Sequence, residues 1–162
     1  MKTWILGVAL AAALTSSAYA RNFAVPNGNP AVTIVVPDDW KIKEIDYGYS
    51  AKSPDSAVMF YVEYAKGKKL DAMINLNKDW MAENEIDGSV KPEEREMDFN
   101  GTKGQVLRYN TTDSQGKTIV DFVLLEGGGG NVVMLTLWGS QEERAANSEA
   151  ISGIMKSVRP IR

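Results

Sequence analysis

The chain has 162 residues, of which 44% are hydrophobic, a size and content typical of one globular domain rather than two. It contains no histidine and no cysteine, which excludes disulfides, thiolate metal sites, cysteine nucleophiles and every Ser-His-Asp triad. The formal net charge of −3 and the lack of a basic stripe argue against a nucleic-acid partner.

The first twenty residues have the pattern of a secretory signal peptide. Lys2 supplies a positive charge, residues 4–14 form an apolar run shorter than a membrane span, and Ala18-Tyr19-Ala20 has the form of a cleavage site. After cleavage, no second run is long enough to act as a membrane anchor. A secreted eukaryotic domain of this size more often carries disulfides, so we expect a periplasmic or secreted protein of the bacterial envelope.

Residues 21–31 contain two prolines and an Asn27-Gly28 turn pair, which predicts an irregular or edge segment before a domain covering residues 32–162. A strand is predicted over residues 32–36, followed by a turn that brings Trp40 onto the core. Residues 47–52 and 56–65 are two further strands joined by Ser53-Pro54-Asp55, which indicates a hairpin.

Over residues 69–85 the apolar period becomes helical, which predicts an amphipathic helix that covers one face of a sheet. A charged connection over residues 90–96 follows it. The Asn100-Gly101 pair then predicts a tight hairpin, because it favours two positive φ angles. Residues 110–116 are polar and predict a longer turn.

The stretch from Lys117 to Trp138 predicts the central hairpin of the domain, with its turn at Gly127 to Gly130. Apolar residues occupy both alternating sets of positions in its first strand, so both faces should be covered. A last helix should begin at a Ser140/Glu143 capping box and end before Pro160. These elements predict an α+β fold, a single-domain α/β/α sandwich with a mostly antiparallel sheet of about six to eight strands and a helix on each face.

This order of elements, together with the Pro37-Asp38-Asp39-Trp40 turn, the Asn100-Gly101 hairpin and the terminal Ser157-Val158-Arg159, resembles the PsbP/DcrB-like superfamily. The resemblance covers most of residues 32–159. It implies a non-enzymatic accessory or binding role. It implies no metal function for this chain, because histidines of the family have no counterpart here.

Asp121 is a carboxylate within the apolar run of the central hairpin, a position that requires a partner or access to water. If Glu126 pairs with Asn131, Asp121 faces Thr136. If the preceding turn pairs Asn110 with Lys117, Arg108 lies diagonal to Asp121 on the same face. Arg108, Asp121 and Thr136 are therefore the candidate binding residues, although a structural ion pair is the favoured interpretation.

Two other sequence features have simpler explanations. Gly127 to Gly130 is not followed by the Lys-Ser/Thr or the helix that a phosphate-binding loop needs, which favours a hairpin turn. Asp38, Asp39, Glu44 and Asp46 lack the loop spacing of a calcium site and indicate a solvated turn. No catalytic, cofactor or metal residue is predicted.

The leading hypothesis is a secreted, non-catalytic accessory or protein-binding domain of the bacterial envelope, whose partner is an unknown envelope protein. Two alternatives stay open. The first is a carrier of a small apolar ligand, which a cavity lined by Trp40, Trp80 or Trp138 would favour. The second is a carboxylate-based hydrolase, which requires two carboxylates facing one cleft.

Overall fold

The computed structural model describes residues 20–161, except for the side chains of residues 68, 70 and 71. The predicted signal peptide therefore lies, apart from Ala20, outside the described residues and stays a prediction. Within the described range, no helix is both long enough and apolar enough to cross a membrane.

The described residues form ten strands and three α-helices. The strands are β1 (Ala20–Val25), β2 (Val32–Pro37), β3 (Lys41–Ile45), β4 (Gly48–Lys52), β5 (Met59–Lys66), β6 (Glu93–Phe99), β7 (Thr102–Asp113), β8 (Gly116–Gly127), β9 (Asn131–Gly139) and β10 (Arg159–Pro160). The helices are α1 (Leu70–Glu83), α2 (Gln141–Ala146) and α3 (Ser148–Ser157).

Seven strands form one antiparallel sheet in the order β3-β4-β5-β9-β8-β7-β6, so the predicted hairpin of β8 and β9 does lie at its centre. On β8, Val120 and Phe122 are buried on the face that α1 covers. Val123 and Leu125 are buried on the opposite face. The prediction that both faces of this hairpin are covered is confirmed.

The Asn-Gly signal is confirmed as the turn between β6 and β7. Asn100 and Gly101 have φ angles of 54° and 88°, and Phe99 pairs with Thr102 across the turn. Two positive φ angles are what a two-residue turn needs to match the twist of its strands. The side-chain amide of Asn100 also donates a hydrogen bond to the Val158 carbonyl at 2.6 Å, which ties the turn to the end of α3.

Three strands, in the order β1-β2-β10, form a second sheet that packs on the core of the central sheet without joining its hydrogen-bonded ladder. Of the two alternatives expected for residues 21–31, an irregular or an edge segment, the second holds for the first part, because Ala20–Val25 forms an edge strand that pairs antiparallel with β2. The first three residues of β1 are exposed. An exposed edge strand shows no apolar alternation, and its regularity comes from hydrogen bonds to a distant partner.

The two faces of the central sheet are covered by different elements. On one face α1 packs through Met73 and Met81 against Phe122 and other apolar side chains. On the other face β2 and α3 pack together, and Ile154 of α3 is buried in the same core as β2. The α+β sandwich with a helix on each face is confirmed, and the three-stranded sheet is an addition to it.

Two predicted loops are instead strand. The polar residues 110–116 do not form a longer turn, because β7 continues to Asp113, which pairs with Gly116 across a two-residue connection. Residues 93–96 belong to β6 rather than to a connection. All four of these residues are exposed. A charged, exposed edge strand resembles a loop in the amino-acid sequence, because neither of its faces carries the apolar residues by which strands are identified.

The predicted last helix is divided into α2 and α3 at Asn147, whose backbone has left the helical region with φ −104° and ψ 14°. The Asn147 side chain donates to the Glu143 carbonyl at 3.0 Å and so closes the end of α2. The capping box at the start of α2 is confirmed. The Glu143 N–H donates to Ser140 Oγ at 3.2 Å, and the Ser140 N–H donates to the Glu143 carboxylate at 2.7 Å.

Replacing the capping serine tests this start signal. Ser140→Ala removes the acceptor of the Glu143 N–H, so we expect a loss of about 1 kcal/mol in the free energy of unfolding, or about 3 °C in Tm. Ser148→Ala is the matched control, because Ser148 is exposed at the start of α3, where no side chain caps the helix. Equal Tm values for the two variants in thermal unfolding would contradict the capping role.

Candidate functional site

Arg108 and Asp121, two of the three candidate binding residues, lie directly opposite each other on β7 and β8. Arg108 Nε donates to Asp121 Oδ1 at 2.7 Å, and Arg108 Nη2 donates to Oδ2 at 2.9 Å. The pair is closer than the predicted diagonal arrangement, because the turn between these strands is shorter than expected. The result is a bidentate ion pair, the strongest geometry for an arginine and a carboxylate.

Arg144 of α2 is a third member of this cluster that sequence reasoning missed. Its guanidinium donates to Oδ2 of Asp121, and only 12% of the Arg144 side chain and 7% of the Asp121 side chain are exposed. Burial acts to raise the pKa of Asp121, but the hydrogen bonds and charges of Arg108 and Arg144 outweigh it and hold that pKa below its usual value. The carboxylate is therefore ionised and joins α2 to the sheet.

Thr136 does not belong to this cluster, and the predicted polar track across the sheet is wrong. In the central hairpin Gly127 pairs with Asn131, one residue away from the predicted register, so Thr136 pairs with Phe122. A shift of one residue moves every side chain of a strand to the other face. Thr136 consequently lies on the α1 side of the sheet, while Asp121 lies on the side of α2.

Both carboxylate oxygens of Asp121 are already occupied by guanidinium donors. This arrangement stabilises the packing of α2 against the sheet. A ligand-binding role for Asp121 stays a prediction, which the substitution below tests.

A groove on the opposite face is the strongest candidate site in the described residues. It lies between α1 and the strands β5 and β9, with the end of β3 and the turn between β3 and β4 at one side, and has a volume of about 630 Å³. Its lining includes Tyr47, Tyr61, Glu63, Met73, Leu76 and Trp80. This volume lies within the range that small-molecule sites occupy in proteins.

Aromatic side chains form much of the groove wall. The rings of Tyr61 on β5 and Trp80 on α1 meet edge to face with centroids 5.6 Å apart. Trp80 also contacts the rings of Phe122 and Trp138 edge to face. These contacts hold Trp80 in one orientation, so that wall of the groove is preformed.

Two large apolar side chains stand exposed in the groove. Tyr47 is 54% exposed and Leu76 is 59% exposed, and they are the exposed large hydrophobic residues among those the structure describes. Both line this groove and come from opposite sides of it, Tyr47 from the turn between β3 and β4 and Leu76 from α1. Apolar surface that converges on a concave site is typical of a binding surface.

Glu63 of β5 is the carboxylate in this groove. Its cross-strand neighbours are Gly48, which has no side chain, and the apolar Met134. Burial raises the pKa of Glu63 above its usual value. Burial also raises the pKa of the nearby Tyr61 hydroxyl, and the charge of Glu63 adds to that shift while Trp80 opposes it. The sequence places Glu63 on a strand face with Met59 and Tyr61 but does not show what lies above it.

The structure bears differently on the two functional alternatives. Trp80 lines the groove, which is the feature that favours a carrier of an apolar ligand. Trp40 is instead a core residue, 2% exposed. Among the described side chains that line the groove, Glu63 is the one Asp or Glu, whereas a carboxylate-based hydrolase needs two in one cleft. Among the side chains that the structure describes, no group of three or more acidic residues is placed to hold a metal ion.

Removing the buried carboxylate tests the structural role of the ion cluster. Asp121→Ala leaves Arg108 and Arg144 without a counter-charge, and we expect a loss of about 3 kcal/mol in the free energy of unfolding, seen as a lower Tm. Glu96→Gln is the control, because it removes an exposed ion pair with Lys103 and should leave Tm unchanged. If Asp121→Ala keeps the stability of the wild type but no longer binds the envelope partner, Asp121 is instead a binding residue.

The stability effect of Glu63 should depend on pH. Because its pKa in the folded protein is above the ordinary value of 4.5, ionisation of Glu63 destabilises the fold as the pH rises above 4.5. We expect Glu63→Gln to raise the Tm by about 3 °C at neutral pH, because it removes the charge of a partly buried carboxylate that has no hydrogen bond. Near pH 4 the carboxyl group is mostly protonated, so the substitution should have little effect there. The exposed Glu44→Gln serves as a control at both pH values. A Glu63→Gln effect independent of pH would contradict this account.

A comparison with protein-family models and with curated proteins found no match. Solved structures do match. Cyanobacterial PsbP (CyanoP) from Synechocystis sp. PCC 6803 is similar with a TM-score of 0.59 and 8% identity, over 96% of this chain and 99% of that chain. LpqN of Mycobacterium tuberculosis is similar with a TM-score of 0.56 and 14% identity, over 89% of this chain and 92% of that chain.

A protein from Bacteroides thetaiotaomicron VPI-5482 is similar with a TM-score of 0.54 and 9% identity, over 82% of this chain but 46% of that longer chain. At such low identities the likeness concerns the fold and not the site residues. The described chain has the PsbP-like fold, and the resemblance seen in the order of its sequence elements is confirmed at that level.

Proposed function

We propose that this protein is a non-catalytic accessory domain of the bacterial envelope that binds a small apolar ligand in the groove between α1 and the sheet. One observation carries the proposal. The two large apolar side chains that are exposed in the described residues, Tyr47 and Leu76, both line that groove. Covering them would remove apolar surface from water, which is the main driving force for binding apolar molecules.

The location in the envelope is supported by the predicted signal peptide and by the absence of cysteine from the whole sequence, since a secreted eukaryotic domain of this size more often carries disulfides. The structurally similar LpqN is described as involved in cell envelope biogenesis in Mycobacterium tuberculosis. The absence of catalysis is proposed because the described lining of the groove offers no second carboxylate beside Glu63.

A protein partner is the second candidate, because Tyr47 and Leu76 are exposed enough for a partner to cover them. The volume of the groove favours the small ligand, since about 630 Å³ holds a drug-sized molecule. If a partner protein is the occupant, it should be captured from periplasmic extract by the wild-type protein but not by Leu76→Ser.

A neutral fluorescent probe tests the ligand proposal. N-phenyl-1-naphthylamine should bind the wild-type protein with enhanced emission. Ala72→Trp should weaken that binding at least about tenfold, because Ala72 is exposed and lines the groove, so that the indole fills space without disturbing the core. Ala145→Trp, at an exposed position of α2 on the other side of the sheet, should bind as the wild type does.

Two results would contradict this proposal. The first is the absence of probe binding to the wild-type protein. The second is equal binding by both tryptophan variants and the wild type, which would place the probe outside the groove.

A further inference from the structure

The carboxylate of Glu63 has no counter-charge in the described structure. None of the described residues donates a hydrogen bond to it or forms an ion pair with it. Its neighbours on the adjacent strands, Gly48 and Met134, offer no polar side-chain atom except the weakly accepting thioether. A buried carboxylate without a partner is costly, and an apolar residue would serve the strand better.

The comparison with Asp121 shows what is missing. Asp121 is a buried carboxylate and Glu63 a partly buried one, and they lie on opposite faces of the central sheet. Asp121 has two arginines as partners, and its pKa is held low. Glu63 has none, and burial raises its pKa. The difference lies in the absent cation, and the side of Glu63 that lacks one is the groove.

The lysines near the groove do not supply that cation. Lys66 and Lys69 both line its edge. Lys66 Nζ donates to the Gly129 carbonyl at 3.3 Å, and neither lysine forms an ion pair with Glu63. Lys69 is exposed. Lys66 is exposed as well, so among the described lysines of the groove none places its charge against Glu63.

The aromatic wall beside Glu63 adds a second preference for positive charge. Tyr61 and Trp80 present their rings to the groove, with centroids 5.6 Å apart, and Tyr47 lies at its edge. Faces of tryptophan and tyrosine rings attract ammonium groups, most strongly where water is excluded. The same rings and Met73 contact an apolar body equally well.

Resting on the proposed ligand-binding function, we propose that the ligand is a small amphipathic organic cation. Its ammonium group lies against the Glu63 carboxylate and the rings of Tyr61 and Trp80, and its apolar body extends toward Met73 and Leu76. An ion pair of this kind gives Glu63 the counter-charge that no described side chain provides, and it explains why an acid is present in a groove walled largely by apolar and aromatic side chains.

Three probes that share one apolar body test the charge preference at neutral pH. They are 3-phenylpropylammonium, the neutral 3-phenylpropan-1-ol and the anionic 3-phenylpropanoate. Binding is measured by calorimetry and by the shift of the Trp80 indole N–H signal in NMR spectra. We expect the cation to bind at least about tenfold more tightly than the alcohol, and the anion to bind more weakly than the alcohol.

Substitution of Glu63 identifies the group responsible. Glu63→Gln should remove most of the preference for the cation, leaving the smaller part that the aromatic rings supply, and should leave the affinity for the alcohol unchanged. Folding does not confound this test, because the variant is expected to be at least as stable as the wild type. Glu44→Gln removes the same charge from an exposed position of β3, which β4 separates from the strand of Glu63, and should keep the preference for the cation.

The outcomes separate this inference from the proposed function. If the neutral fluorescent probe binds in the groove but the three phenylpropyl probes bind equally, or not at all, the inference of a cationic ligand fails and the groove function stands. An equal loss of cation affinity in Glu63→Gln and Glu44→Gln also overturns it, since a general charge effect would then be responsible. If no probe of either kind binds, both proposals fail. Binding of a partner protein that places a lysine against Glu63, with no measurable affinity for the free 3-phenylpropylammonium, would overturn it as well.

Discussion

The pairing of Gly127 with Asn131 at the end of the central hairpin determines which side of the sheet each residue of β9 faces. In this register Thr136 lies beneath α1, in the wall of the groove. A shift of one residue would exchange the two faces of β9. The turn is held by residues from both ends of the chain. Gly128 donates to the Ala31 carbonyl at 3.1 Å, and a Cβ on Gly128 would come within 2.9 Å of the Ile161 carbonyl oxygen.

Two acidic residues on the central sheet show how one fold uses buried charge in two ways. Asp121 meets arginines from a neighbouring strand and from α2, so its charge contributes to the packing of a helix. Glu63 lies where the neighbouring strand has a glycine, and α1 passes above without placing a cation there. The first carboxylate is satisfied within the chain. The second leaves a site that an external cation can complete.

Local signals predicted the elements well where a single short motif decides the backbone. The Asn100-Gly101 turn and the Ser140/Glu143 cap were both found from a few residues, because each motif satisfies its own backbone requirements. Exposed strands were harder to find. The sequence predicts a connection for the first half of β6 and does not decide between an irregular and an edge segment for β1, because the regularity of such strands depends on pairing with a neighbouring strand and not on an apolar pattern of their own. The sequence placed Arg108 diagonal to Asp121, whereas the two are directly opposite. The difference arises because the polar residues 110–116 suggested a longer turn than the two-residue connection that is present.

The amino-acid sequence by itself determined the class of the fold, the position of the central hairpin and the absence of histidine and cysteine chemistry, since these follow from composition and from periodicity along the chain. The tertiary structure alone decided that Arg144 completes the Asp121 cluster and that Thr136 lies on the opposite face. It also decided that Glu63 lies in a groove with Tyr47 and Leu76. The physical reason is that charge pairing and concavity depend on contacts between residues far apart in sequence, which no local pattern records.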